Sequence, residues 1–333
     1  MRRLLLTSLL FFILNSGWAA EDKYSELGAT YNGTICVDAD TGTVLSESTA
    51  DSLGHPASVT KLMTFLLILE DARDQQLNLN SLVKISKEAT QIGGSQVWLA
   101  IGEEFTVKDL LYALMLQSAN DSAVALALTR APTVKEFVER MNTRAKELGM
   151  TNTHFVSPHG LTYGAGPHDT TTARDLAKLC VQLTTLKDAF TFTCCKEFNF
   201  RPGLKSVRLN NHNHLLNSYP GCDGFKTGWT VAANASIVTT ARNNKHRVIA
   251  VVLGCDSPSG AKIAQRVRDQ IAGKLMTKGF EKLAVYDAEK AKLLTLTHRD
   301  TPKGKGATPS SPKKSDSEQK TEEKGWLEAL FTF

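Results

Sequence analysis

The 333-residue chain has no basic run interleaved with aromatic residues, and its net charge of +5 lies partly in the C-terminal tail. Without a basic patch it lacks the footprint of a nucleic-acid binder. Its six cysteines include no Cys-x-x-Cys pair, which removes the usual signature of a zinc knuckle or a redox dithiol. The apolar run from Leu4 to Leu14 is too short to span a bilayer, which takes about 20 residues. His212 and His214, in NNHNHLL, have no third ligand at suitable spacing, so they read as a polar loop. No metal and no cofactor is expected. What is present, 42% hydrophobic and 22% charged residues, is ordinary globular composition, enough for one large domain or two smaller ones.

The first residues point to export. Arg2 and Arg3 precede the apolar run, and Gly17-Trp18-Ala19 supplies the small residues a signal peptidase accepts, so 1–19 is expected to be a cleaved signal peptide. Cys36 and Cys255 lie in β-like apolar runs, TICVDA and VIAVVLGC, where a buried thiol is the ordinary reading.

Around Thr34 to Val37 and Thr43 to Leu45 the chain is β-prone, and the intervening Asp38-Ala39-Asp40-Thr41-Gly42 predicts a hairpin turn. The period then changes. From LMTFLLILEDARD through TARDLAKLCVQLTTL apolar residues recur at helical spacing. Strand character returns in ASIVTTARN and KHRVIAVVLGC, on either side of Asn243-Asn244, and GAKIAQRVRDQIAGKLMTKGF reads as a closing helix. Strands at both ends with helices between predict an α+β fold: one antiparallel sheet built from both ends of the chain and flanked by helices, with a helical lobe inserted over about 70–205. The folded domain is expected over 20–290. The stretch TPKGKGATPSSPKKSDSEQKTEEKG has too little apolar surface to fold, so 291–325 reads as a disordered polar linker. Residues 326–333, WLEALFTF, are a candidate membrane-associating end that would make peripheral contact.

Ser-x-x-Lys places a hydroxyl and an amine on one helical turn, where the amine can serve as base. The pattern occurs six times, at Ser58/Lys61, Ser81/Lys84, Ser259/Lys262, Ser310/Lys313, Ser311/Lys314 and Ser317/Lys320, so the neighbours must decide. The last three fall in the linker, and catalysis needs a rigid support. Ser81 opens a polar stretch, and Ser259 fits a helix cap. Ser58 alone leads into a strongly apolar helix, Leu62 to Leu69, with Lys61 one turn on and on the same face.

Two further motifs occur once each: Ser118-Ala119-Asn120, at a polar break between apolar helices, and Lys226-Thr227-Gly228, just before the returning strands. The ordered set Ser-x-x-Lys, Ser-x-Asn and Lys-Thr-Gly resembles the active-site set of the serine penicillin-binding enzymes. The flanks GGSQVWLAIGEEFTVKDLLYALMLQSAND, KELGMTNTHFVSPHGL and YPGCDGFKTGWT are similar to those of the low-molecular-weight D-alanyl-D-alanine carboxypeptidases, over about Ala29 to Phe280. The resemblance implies the serine β-lactamase/DD-peptidase (transpeptidase-like) fold and a place in the periplasm or on the outer face of a bacterial cytoplasmic membrane. It implies a peptidoglycan stem-peptide substrate ending in D-Ala-D-Ala, with β-lactam antibiotics as acylating inhibitors.

Carried onto this chain, the resemblance makes Ser58 the nucleophile and Lys61 the base, whose pKa a second cation and desolvation would lower. Ser118 would relay a proton to the leaving D-alanine, and Asn120 would bind the substrate amide and orient Lys61. Lys226 and Thr227 would hold the terminal carboxylate. The backbone N–H groups of Ser58 and Trp229 would receive the oxyanion, with Gly228 leaving room for a ligand along the strand.

The chain departs from the family pattern at Ala233-Asn234, where Ala-Gly is usual, and no β-rich second domain is expected after the catalytic region. The rival functions are a serine β-lactamase, a DD-endopeptidase of the same fold, and a non-catalytic β-lactam or wall-fragment receptor. Class A β-lactamases carry a Glu-x-x-Leu-Asn element for deacylation, and none lies between Asn120 and Lys226.

Overall fold

A hairpin opens the fold, β1 (Gly33–Asp38) and β2 (Val44–Ser48), turning where the Asp/Gly cluster predicts. The Asp38 carboxylate accepts from the Thr41 hydroxyl at 2.6 Å and the Asp40 N–H at 3.2 Å. In this computed structural model residues 28–162, 166–201, 203 and 206–299 are described, and the expected signal peptide, C-terminal segment and most of the linker lie outside them.

After β2 the chain runs through α1 (Lys61–Arg73), β3 (Leu82–Lys84), α2 (Lys87–Thr90), β4 (Glu104–Thr106), α3 (Val107–Tyr112), α4 (Asn120–Leu128) and α5 (Val134–Glu147). It continues through α6 (Ala173–Thr184), α7 (Ala189–Thr193), β5 (Glu197–Phe200), β6 (Val207–Asn210) and α8 (Leu215–Ser218). It closes with β7 (Cys222–Thr230), β8 (Asn234–Arg242), β9 (Arg247–Cys255) and α9 (Ala261–Arg299). The main sheet has the order β2-β1-β9-β8-β7 and is antiparallel throughout, so both ends of the chain build it, as expected. The inserted lobe also holds two small antiparallel pairs, β3 with β4 and β5 with β6. At three or four residues per strand these are too short for alternation to announce them.

Strand β9 sits in the middle of the sheet and is buried along its whole length, which explains its unbroken apolar sequence. Its alternate residues serve two cores. Ile249, Val251 and Leu253, with Ile35 and Val37 of β1, face the core shared with α1, α4 and α6. Val248, Ala250 and Val252, with Cys36, pack with Ala264, Val267 and Met276 of α9. This two-residue period is what a sheet covered on both faces requires. Helix α1 has ten of its thirteen residues buried, and a helix apolar all round belongs inside the molecule.

The chain divides into two units, Met1–Tyr286 and Asp287–Phe333, and of the second only 287–299 are described, as helix. That corrects the expected linker boundary. Residues 291–299 are helical because AEKAKLL, from Ala288, is made of strong helix formers. No described helix is long and apolar enough to cross a membrane.

Candidate active site

Ser58 lies in a 3-10 turn, Ala57–Thr60, that leads directly into α1. Ala57 takes a left-handed conformation, φ 47°, which costs a residue with a Cβ about 1–3 kcal/mol. The turn is held from above by Gly160, φ +85°, where any side chain would overlap the Ala57 carbonyl. The serine therefore stands on a strained turn whose far end is locked into the core.

Lys61 is fully buried, and its Nζ lies 2.7 Å from Asn120 Oδ1, 2.8 Å from the His159 carbonyl oxygen and 3.0 Å from Ser58 Oγ. Burial pushes its pKa well below the ordinary lysine value, and Lys226 pushes the same way against the pull of Asp169 and Asp121. A neutral amine keeps two N–H donors, which match the Asn120 and His159 oxygens, and has one lone pair left for Ser58. So held, it can take a proton from the hydroxyl.

Lys226 is as buried as Lys61, and its Nζ donates to the Thr227 carbonyl oxygen at 3.1 Å. Burial and then the Arg268 guanidinium push its pKa down to about 7. Arg268 is itself buried, held by Asp269 and by the Ser236 carbonyl. Among the described residues Lys226 forms no ion pair, so its remaining N–H donors point to an anion that arrives from outside.

Ser118 ends a π-helical turn, Ala113–Gln117, in a left-handed conformation with φ 61° and ψ 34°. Among the described residues its buried Oγ has no hydrogen-bond partner, and Lys61 bonds Asn120 instead of it. An unpaired buried hydroxyl costs about 1–3 kcal/mol and suits a group awaiting a ligand. Asn120 is fixed from its other side, where Nδ2 donates to the Gly93 carbonyl at 2.7 Å. Its backbone N–H meets the Ser95 carbonyl, also at 2.7 Å.

The loop supplying those carbonyls is gripped twice. The Asp121 carboxylate accepts from the N–H groups of Val97 and Leu99. Arg201 donates to the Val97 and Trp98 carbonyls, pairs with Glu103 and lies over Phe105 and Phe200. Trp98 is left exposed with φ 57°.

Strand β7 is the sheet edge nearest Ser58, with Lys226, Thr227 and Gly228 buried and Trp229 43% exposed. Gly228 has a further reason beside the one its sequence suggests. A Cβ there would sit 2.7 Å from the Pro56 carbonyl and 3.0 Å from Ser58 N, so the glycine brings the strand against the serine turn itself, in addition to any room it leaves for a ligand. The two histidines of NNHNHLL are both exposed, and His214 lies 3.8 Å from Asp269. Among the described residues no group of three His, Cys, Asp or Glu side chains could hold a metal ion. Ser81/Lys84 and Ser259/Lys262 are exposed, and the hydroxyl that accepts a backbone N–H near α9 is that of Ser257. The other three matches lie outside the described residues.

The structure thus brings Ser58, Lys61 and Asn120 into direct contact and sets Lys226 within electrostatic reach. It adds the His159 carbonyl, Asp121, Arg201 and Arg268, none of which the motifs disclose. The segment SPHGL carries the only signal for His159, as a flank of the resemblance.

A serine at the head of a buried helix, a buried amine beside it and an edge strand drawn against both make the layout of active-serine acyl-transfer enzymes. Within that class the chain belongs to the D-alanyl-D-alanine carboxypeptidase family, peptidase family S11, whose profile matches residues 22–257. It is 37% identical over 265 residues to D-alanyl-D-alanine carboxypeptidase DacF of Bacillus subtilis, covering 78% of this chain and 67% of that one. It is 34% identical to DacC of Escherichia coli, covering 82% and 67%. Among solved structures it is similar to penicillin-binding protein D2 of Listeria monocytogenes in its ampicillin-bound form, with TM-score 0.65, 29% identity and coverage of 75% and 97%. A mutant of the Streptomyces K15 DD-transpeptidase matches with TM-score 0.67, 32% identity and coverage of 75% and 98%.

Proposed function

We propose that this protein removes the terminal D-alanine from peptidoglycan stem peptides, through an acyl-enzyme on Ser58. The observation that carries the reading is Lys61: a fully buried amine, pushed toward its neutral form, with Ser58 Oγ 3.0 Å away and two other acceptors fixing its direction. Lys61 takes the Ser58 proton as Oγ attacks the carbonyl carbon of the penultimate D-alanine. The oxyanion is received by the N–H groups of Ser58 and Trp229, which the close approach at Gly228 favours. Collapse breaks the peptide bond. The departing amine takes a proton by way of the unpartnered Ser118 hydroxyl, and water then releases the acyl group.

Lys226 and Thr227 grip the terminal carboxylate of the substrate, a role that suits a buried lysine without an acidic partner among the described residues. Asn120 holds Lys61 and keeps one N–H for the substrate amide. A β-lactam, which offers an acyl group and a carboxylate in similar relation, acylates the same serine. Without a Glu-x-x-Leu-Asn element the adduct leaves slowly. Export by residues 1–19 and membrane contact by 326–333 complete the proposal and rest on the sequence pattern alone.

The test is intact-protein mass spectrometry after brief exposure to benzylpenicillin, paired with release of D-alanine from an acyl-D-Ala-D-Ala peptide. A persistent one-to-one adduct and peptide turnover, both abolished in Ser58→Ala, are expected. Rapid loss of the adduct with consumption of drug would make the protein a β-lactamase. An adduct without turnover would make it a receptor.

A further inference from the structure

Arg201 takes no part in the chemistry proposed above, yet it is tied down at every side. It follows β5 directly, in a left-handed conformation with φ 53°, and its side chain is only 12% exposed. Nη1 donates to the Val97 carbonyl at 2.6 Å and Nη2 to the Trp98 carbonyl at 2.8 Å. Nε and Nη2 bond the Glu103 carboxylate at 3.1 and 2.7 Å. The guanidinium lies 5.1 Å from the centre of the Phe105 ring and 5.0 Å from that of Phe200. Glu103 alone would balance the charge; the two carbonyls use the fixed fork of the guanidinium, which an ammonium lacks.

The loop held in this way is the one that sets Asn120. Arg201 pins it through carbonyls, and the Asp121 carboxylate pins it through the N–H groups of Val97 and Leu99, at 3.1 Å each. Between them Trp98 keeps φ 57°, a conformation that a bulky residue holds only where its surroundings impose it. A few residues earlier, the Gly93 and Ser95 carbonyls accept from Asn120 Nδ2 and from its backbone N–H, both at 2.7 Å. The approach has no slack, since a Cβ at Gly94 would come 2.8 Å from Asn120 Nδ2. Asn120 Oδ1 in turn lies 2.7 Å from Lys61 Nζ. Each link from Arg201 to the base is a hydrogen bond or a short run of pinned backbone.

We propose that Arg201 is a positioning residue for acyl transfer: by fixing the loop through the Val97 and Trp98 carbonyls it sets Asn120, and through Asn120 the aim of Lys61 at Ser58. The inference rests on the acylation of Ser58 in the reading above and is independent of which peptide is cut. An arginine that only fastened the β5–β6 hairpin to the loop would add stability without acting through Asn120, and this difference can be measured.

The experiment is a double-mutant cycle on the full chain, with Arg201→Ala and Asn120→Ala singly and together, in which the rate constant for acylation by benzylpenicillin is followed by intact-protein mass spectrometry. The approach to the adduct plateau gives a rate constant that does not depend on how much protein is folded, and the plateau itself gives the reactive fraction. Arg201→Ala is expected to slow acylation about tenfold or more in the wild-type background, because small misplacements of a catalytic group are costly. In the Asn120→Ala background the same substitution should change the rate by less than about twofold. Arg201→Lys keeps a cation opposite Glu103 and cannot bridge both carbonyls. It should show the same contrast between backgrounds with a smaller loss, and it serves as the test should the alanine variant not fold. An equal loss in both backgrounds, or no loss in the wild-type background, would overturn the positioning role and leave the acyl-serine reading standing. Absence of any adduct on the wild-type protein would remove both.

Discussion

Lys61 and Lys226 are both buried and both pushed toward neutrality, yet the proposed reaction needs them in opposite states. Lys61 must be neutral to accept the Ser58 proton, while Lys226 must be cationic to hold a carboxylate. In the free protein kcat/KM is therefore expected to rise as Lys61 loses its proton and to fall above about pH 7 as Lys226 loses its own. In Lys226→Arg that alkaline limb should move to higher pH, measured on one D-Ala-D-Ala peptide from pH 5 to 10; an unmoved limb would assign it to another group. Stability has the opposite sign. The folded pKa of Lys226 is depressed, so from about pH 7 up to the ordinary lysine value, about 10.4, the unfolded chain binds the extra proton, and this group's contribution improves as pH rises. Lys226→Met is expected to melt higher than the wild type at pH 6, with the difference shrinking toward pH 10.

At the scale of elements, catalysis depends on how closely an edge strand approaches a turn. Gly228 lets β7 lie against Pro56 to Val59, where a Cβ would come within 2.7–3.1 Å of backbone atoms that cannot give way cheaply. Gly228→Ala is expected to shift the strand and misplace the Trp229 N–H. Loss of an oxyanion donor costs about 10²–10³ in rate, and the benzylpenicillin acylation rate should fall by that order while the circular dichroism spectrum stays native. A fall of less than about fivefold would show that the strand accommodates the methyl group. The glycine itself was legible in the motif; its neighbour across the gap was not, because the serine turn and β7 are far apart in sequence. The same holds for Asp121 and Arg201, which fix the loop carrying Trp98 through hydrogen bonds to its backbone. Backbone partners leave no trace in composition or period.

Within the first unit, the sheet divides two cores, and α9 residues from Ala264 to Leu283 cover one face of it. That helix also carries Arg268, so its packing couples stability to the charge at Lys226. Met276 is fully buried against the sheet. Met276→Ala should destabilise the protein by about 2–5 kcal/mol, read from chemical unfolding, while the folded fraction still forms the one-to-one penicillin adduct. A loss of acylation stoichiometry in folded protein would mean that α9 does more to the site than hold its distance.

What the sequence determined by itself was local or additive: apolar period, turn residues, and three short motifs whose order carries more information than any one of them. From these come the α+β fold built from both chain ends and, through the resemblance the motifs carry, the expectation that Ser58, Lys61 and Asn120 share one site; their contact is a finding of the structure. What only the tertiary structure decided was everything that depends on two distant segments meeting through backbone atoms or through lost solvent. The His159 carbonyl on Lys61, the close approach at Gly228 and the unpartnered Ser118 hydroxyl are of this kind. So is the depression of two lysine pKa values, because desolvation is a property of the enclosing fold and no single residue encodes it.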